Sequence, residues 1–239
     1  MGGYRLLVKG TLVVGVFVLF MSACLTPPEF PNEPEISFNK IIYKEGGTEF
    51  ASDTLVLTIN FQDGDGNLGF VDDSMDISPP YHQDNYYIKL SDSTYVTLAD
   101  RALPGFDTLL PPYEFPYTCI NYHNTNETDT FYTEPNEYYY NIYVNFFVRK
   151  NGIYTEFDWL TLYNDCNTPY HGRFPLLNIP YRDRPLTGKL KYNMESVTGL
   201  RPIFRDDTLK LEIYIYDRAL NKSNVIETPD FVIKNITVN

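Results

Sequence analysis

The densest chemistry in the chain sits in one short loop, Asp63-Gly-Asp65-Gly-Asn67-Leu-Gly69. Alternating oxygen-bearing side chains on a turn that glycine permits can converge on a hard cation such as Ca²⁺. An EF-hand loop requires Gly at its sixth position and Glu at its twelfth. This chain has Leu68 and Ser74 there, so that motif is excluded. Asp72, Asp73 or Asp217 could complete a cation shell if the fold brings one of them close. The competing reading is a solvated turn whose Asp and Asn cap their own backbone.

Cys119 and Cys166 carry a second kind of chemistry. In an oxidising compartment an even pair forms a disulfide if the two meet, and spacing alone does not establish that they do. With His82, His123 and His171 they show no tight metal-ligand spacing. There is no nucleophile elbow, zinc-protease helix or phosphate loop, and scattered carboxylates do not make a glycosidase. The sequence therefore reads as a non-enzyme without a catalytic set.

Aromatic residues are the remaining candidates. The 239 residues include 21 Tyr, 16 Phe and 1 Trp. Tyr139, Tyr143, Phe147 and Tyr154 lie off the face expected to enter the core. Rings exposed in a row can stack on sugar or grip a protein partner. The alternative is that a second layer covers them. Lys and Arg number 19 against 31 Asp and Glu, a net charge of −12. A nucleic-acid partner, which demands a basic footprint, is excluded.

The elements that position these residues read as strands. Ala, the best helix former, occurs only at 23, 51, 99, 102 and 219. Large apolar residues alternate in Leu55–Phe61 and Leu209–Ile215, and again from Tyr138 through Val148, where Tyr138 and Tyr140 are expected on the core face. Asn151-Gly152 after that third run predicts a tight hairpin into Ile153–Trp159. Further strands are expected over 36–43, 86–90, 95–98, 189–194 and 231–238. The expected class is all-β: an antiparallel β-sandwich, immunoglobulin-like or fibronectin-like. Residues 99–135 read as a long inserted loop. Asp53–Asn67 also aligns without gaps on Asp207–Asn221, sharing Asp, Thr, Leu, Leu, Ile, Asp and Asn. That echo leaves two organisations open, one sandwich over 35–239 or two tandem immunoglobulin-like domains.

The start of the chain reads as an address. Arg5 and Lys9 precede an uncharged apolar run, then Met21-Ser-Ala-Cys24. The pattern is that of a secretory signal, residues 1–23. Its end resembles a bacterial lipobox, with Met21 where Leu is usual. The resemblance implies cleavage before Cys24 and lipidation of its thiol, so that the chain is anchored to a membrane. Cleavage removes Arg5 and Lys9 and no acid, which takes the charge from −12 to −14. Residues 24–34, with four prolines, read as a semi-rigid tether. Leu25 is not the Asp that favours inner-membrane retention in enterobacterial lipoproteins, which by analogy points to the outer membrane, with the leaflet open.

Together, the lipobox, the Asp53–Gly69 unit and Asp217-Arg-Ala-Leu-Asn-Lys-Ser-Asn224 resemble uncharacterised cell-envelope lipoproteins of Bacteroidetes that carry immunoglobulin-like sandwiches. The resemblance implies an outer-membrane-anchored, non-enzymatic module that binds or scaffolds another envelope component. Two other functions are weighed beside it: a glycan-binding accessory lipoprotein of a polysaccharide-uptake system, and an envelope hydrolase.

Overall fold

The computed structural model describes residues 29–46, 52–70, 80–81, 84–86, 122–124, 130–159, 162, 170–177, 184–196 and 199–238. In chain order the strands are β1 (Glu35–Lys44), β2 (Asp53–Asp63), β3 (Asp84–Tyr86), β4 (Tyr122–Asn124), β5 (Thr130–Pro135) and β6 (Ile142–Lys150). They continue with β7 (Ile153–Glu156), β8 (Leu186–Ser196), β9 (Thr208–Ile215), β10 (Ile226–Glu227) and β11 (Thr237–Val238). The named helical elements among the described residues are one turn, α1 (Arg201–Phe204), and a 3₁₀ turn at Ile233–Asn235; Trp159 and Leu162 also have helical backbone. Among the described residues no helix is long and apolar enough to cross a membrane. The described chain is thus all-β.

Two four-stranded sheets, ordered β11-β1-β2-β8 and β10-β9-β6-β7, are antiparallel throughout except where β11 runs parallel to β1. A third, three-stranded sheet is ordered β3-β5-β4. Period-2 alternation puts one residue of each pair on a common face. That face is buried in β2 (Leu55, Leu57, Ile59, Phe61), in β6 (Ile142, Val144, Phe146, Val148) and in β9 (Leu209, Leu211, Ile213, Ile215). All twelve belong to one hydrophobic cluster, together with Trp159, Tyr170, Phe174, Phe204 and Phe231. Each such side chain contributes about 1.5–3 kcal/mol on burial. The two four-stranded sheets therefore share a core.

The Asn-Gly hairpin forms as expected: Asn151 and Gly152 take φ of 54° and 83° between β6 and β7. Three local expectations differ from the structure. Tyr138 and Tyr140 precede the first residue of β6 and are half-buried, outside the core cluster, because the chain there is a turn closed by Tyr139 N–H donating to Asn136 O at 3.1 Å. The run 231–238 is not one strand. Phe231 makes a single bridge to Leu209, and the 3₁₀ turn intervenes before β11. Within 99–135, β4 and β5 pair antiparallel, with Tyr122 opposite Tyr132 and Asn124 opposite Thr130, so part of the expected loop is sheet. Of the expected strand at 86–90 only Tyr86, in β3, is described, and 87–90 and 95–98 lie outside the described residues.

The two copies of the sequence echo take equivalent places. β2 is flanked on both sides in its sheet by β1 and β8, and β9 by β10 and β6. Asp63, the last residue of β2, and Asp217, two residues beyond the end of β9, lie at the same end of the core, where Arg218 N–H donates to Asn67 O at 3.4 Å.

Candidate functional site

Asp63 is the last residue of β2, paired with Leu186 of β8. Beyond it the chain must pass under residues 30–31. Gly64 N–H donates to Pro31 O at 2.8 Å, and a Cβ on Gly64 would lie 2.3 Å from Phe30 O. Only glycine fits that approach. Gly66 then takes φ 70°, which turns the chain so that the Asn67 amide faces back. Asn67 N–H donates to Asp63 Oδ2 at 3.0 Å and to Asp65 Oδ1 at 3.3 Å, and its side-chain amide donates to Asp65 Oδ2 at 2.8 Å.

The loop after β9 has the same form. Leu220 takes φ 68° at the place of Gly66. Asn221 N–H donates to Asp217 Oδ1 at 2.7 Å, and the Asn221 side-chain amide donates to Asp217 Oδ2 at 2.8 Å. Arg218 holds the two loops together, its guanidinium donating to Gly69 O at 3.2 Å, while the Tyr81 hydroxyl donates to Arg218 O.

One carboxylate oxygen from each of Asp63, Asp65 and Asp217 lies within 4.8 Å of the others. The sequence-predicted cation residues are thus brought together, including Asp217 from 154 positions downstream of Asp63. Asp63 is 0 % exposed and Asp217 2 %. Two buried oxygens at this centre, Asp63 Oδ1 and Asn67 Oδ1, have no hydrogen-bond partner among the described residues. Burial, then the charge of Asp65, then that of Asp217 push the Asp63 carboxyl up to about 7, against the pull of the Asn67 and Gly66 amides. Such a centre asks for positive charge, as a proton or as a metal ion. Two of its three acids are sealed from solvent, and Asp65 is half-buried. Asp72 and Asp73 lie outside the described residues.

The four ring candidates do not form one open row. Tyr143, on the outer face of β6, is only 9 % exposed. It stacks on Tyr214 of β9 with centroids 4.9 Å apart and rings 8° from parallel, and its hydroxyl donates to Glu137 O at 2.6 Å. Lys222 covers the Tyr214 ring at 3.8 Å. Further along, Lys210 Nζ lies 5.8 Å from the centroid of Phe147 and 4.7 Å from that of Tyr154. Tyr139 lies under the Arg173 guanidinium at 4.9 Å and packs edge-on against Tyr140 at 4.7 Å, which in turn meets Tyr143 at 5.9 Å. Beside Tyr143, burial pushes His171 down to about 4, and its Nδ1 accepts from Val144 N–H at 3.2 Å. Cys24, Cys119 and Cys166 lie outside the described residues.

Sequence reasoning missed two residues that shape this end. Asn224 bridges the segment after β9 to β1, accepting from Ile36 N–H at 2.7 Å and donating to Ile36 O at 3.0 Å. Asn141 clamps Phe174, donating to its O at 3.0 Å and accepting from its N–H at 2.8 Å. Asn141 is 1 % exposed, a polar residue held where an apolar one would otherwise pack, whereas Asn224 is exposed and carries no such signal. Comparison with protein-family models, curated proteins and solved structures finds no match to the chain.

Proposed function

We propose that the chain is a lipid-anchored β-sandwich of the cell envelope that binds or scaffolds another envelope component without catalysis. The order β1-β2-β8 beside β7-β6-β9-β10 is that of a fibronectin-like sandwich, which supports the fold half of this reading. The observation that carries the functional half is where the chain arrives. Pro31, only seven positions after Cys24, is hydrogen-bonded to Gly64 at the aspartate-bearing end. Seven residues span at most about 25 Å. An acyl chain on Cys24 therefore holds that end against the outer membrane and points the β6–β7 hairpin away from it. Ile153 on that hairpin is 69 % exposed and is available to a partner.

The partner favoured is a protein rather than a polysaccharide. Sugar stacking needs an open ring face, and Tyr143, Phe147 and Tyr154 already have neighbouring rings or lysines against theirs. Growth with an alkyne-tagged fatty acid tests the anchor. The full chain should take the label and sediment with membranes, and Cys24→Ala should lose both. Label retained by Cys24→Ala, or no label on the parent chain, sinks the reading.

A further inference from the structure

We propose that Asp63, Asp65 and Asp217, with the side-chain oxygen of Asn67, bind a hard divalent cation of the Ca²⁺ class that clamps the loop after β2 to the loop after β9. Three carboxylates whose oxygens lie within 4.8 Å of one another carry more like charge than a protein packs without compensation. Proximity alone would leave a solvated acidic turn as an equal account. The orphaned oxygens decide against that account. Asp63 is fully buried, yet its Oδ1 has no partner among the described residues, and neither has the buried Asn67 Oδ1. A native fold pairs its buried polar atoms with protein, water or an ion.

The donor set is all oxygen: three carboxylates and one amide. That chemistry suits Ca²⁺, which tolerates irregular geometry, over Zn²⁺, which takes nitrogen and sulfur. The Asp217 oxygens each receive one bond from Asn221 and keep lone pairs for a metal. No lysine or arginine is ion-paired to Asp63 or Asp217 among the described residues; the adjoining Arg218 is turned to Gly69 O. Because ligands come from both loops, the ion would tie the two four-stranded sheets together at one end.

The test uses the full chain, purified in detergent, stripped with chelator and titrated with CaCl₂. Calorimetry should show one saturable site. The melting midpoint should rise by about 5 °C or more once Ca²⁺ exceeds its Kd about 100-fold. Asp65→Ala should weaken binding at least about 100-fold while melting, in chelator, no lower than the parent chain. That second reading separates a lost site from a lost fold. No heat and no midpoint change up to millimolar Ca²⁺, or undiminished binding in Asp65→Ala, overturns the proposal.

Discussion

The loops after β2 and β9 are built to one plan and end in different states. Both begin with an aspartate whose carboxylate accepts from the backbone N–H of an asparagine four positions on. Both bend through a residue near φ 70°. Of the three positions at which they differ, the third decides their hydrogen bonding, Asp65 in one and Ala219 in the other. Ala219 offers no acceptor, so the Asn221 amide turns to Asp217 and the second loop satisfies itself. Asp65 draws the Asn67 amide away, and Asp63 Oδ1 is left without a partner. One added carboxylate converts a closed turn into a centre that lacks a positive charge.

The largest effect that would sharpen this contrast is the pH dependence of the chelator-treated protein. The Asp63 carboxyl is pushed up to about 7 in the fold, from an ordinary value of 3.8. Between those two values the folded state holds the proton that the unfolded chain has released. Stability is then fully present below about pH 4 and declines as pH rises through about 7, by at most about 4 kcal/mol. Saturating Ca²⁺ should flatten the decline. Urea melts at pH 5 and pH 8 check it, and equal stability at the two without metal breaks the account of Asp63. Next in size is Gly64→Ala. Its Cβ would strike Phe30 O and Pro31 O, so a loss of about 2–3 kcal/mol is expected. At the matching position the second loop carries Arg218, and Arg218→Ala should cost about 1 kcal/mol or less.

Much of this was legible in the chain because strands with one buried face write their period into the sequence. Leu55–Phe61 and Leu209–Ile215 announced β2 and β9, and Asn151-Gly152 announced the hairpin. Asp63, Asp65 and Asn67 were legible as a group through their spacing. The partnership with Asp217 was open, since it depends on how two sheets meet rather than on local pattern. Where the alternation misled, at Tyr138, Tyr140 and 231–238, a turn outcompeted the strand through backbone bonds that side-chain type does not encode. Asn224 and Asn141 were silent for the same reason, because each replaces a rung of backbone pairing.

Two further changes, each smaller in effect than Gly64→Ala, would exchange the loops' characters. In chelator, Asp65→Ala frees the Asn67 amide to pair with Asp63, as Asn221 pairs with Asp217. A gain of about 1–2 kcal/mol is expected from the satisfied oxygen and the lifted repulsion. A loss in a urea melt would mean that Asp65 supports the loop itself. The smallest effect is Leu220→Gly. Leu220 holds a left-handed backbone that its Cβ opposes, whereas Gly66 holds the same one freely. Glycine should recover that strain and lose part of it again to the entropy of the unfolded chain, for a net gain of about 0.5–1 kcal/mol. A lower midpoint in thermal melting would show that the Leu220 side chain contributes more by packing than its backbone costs. The likeness of the two loops would then be confined to their hydrogen bonds.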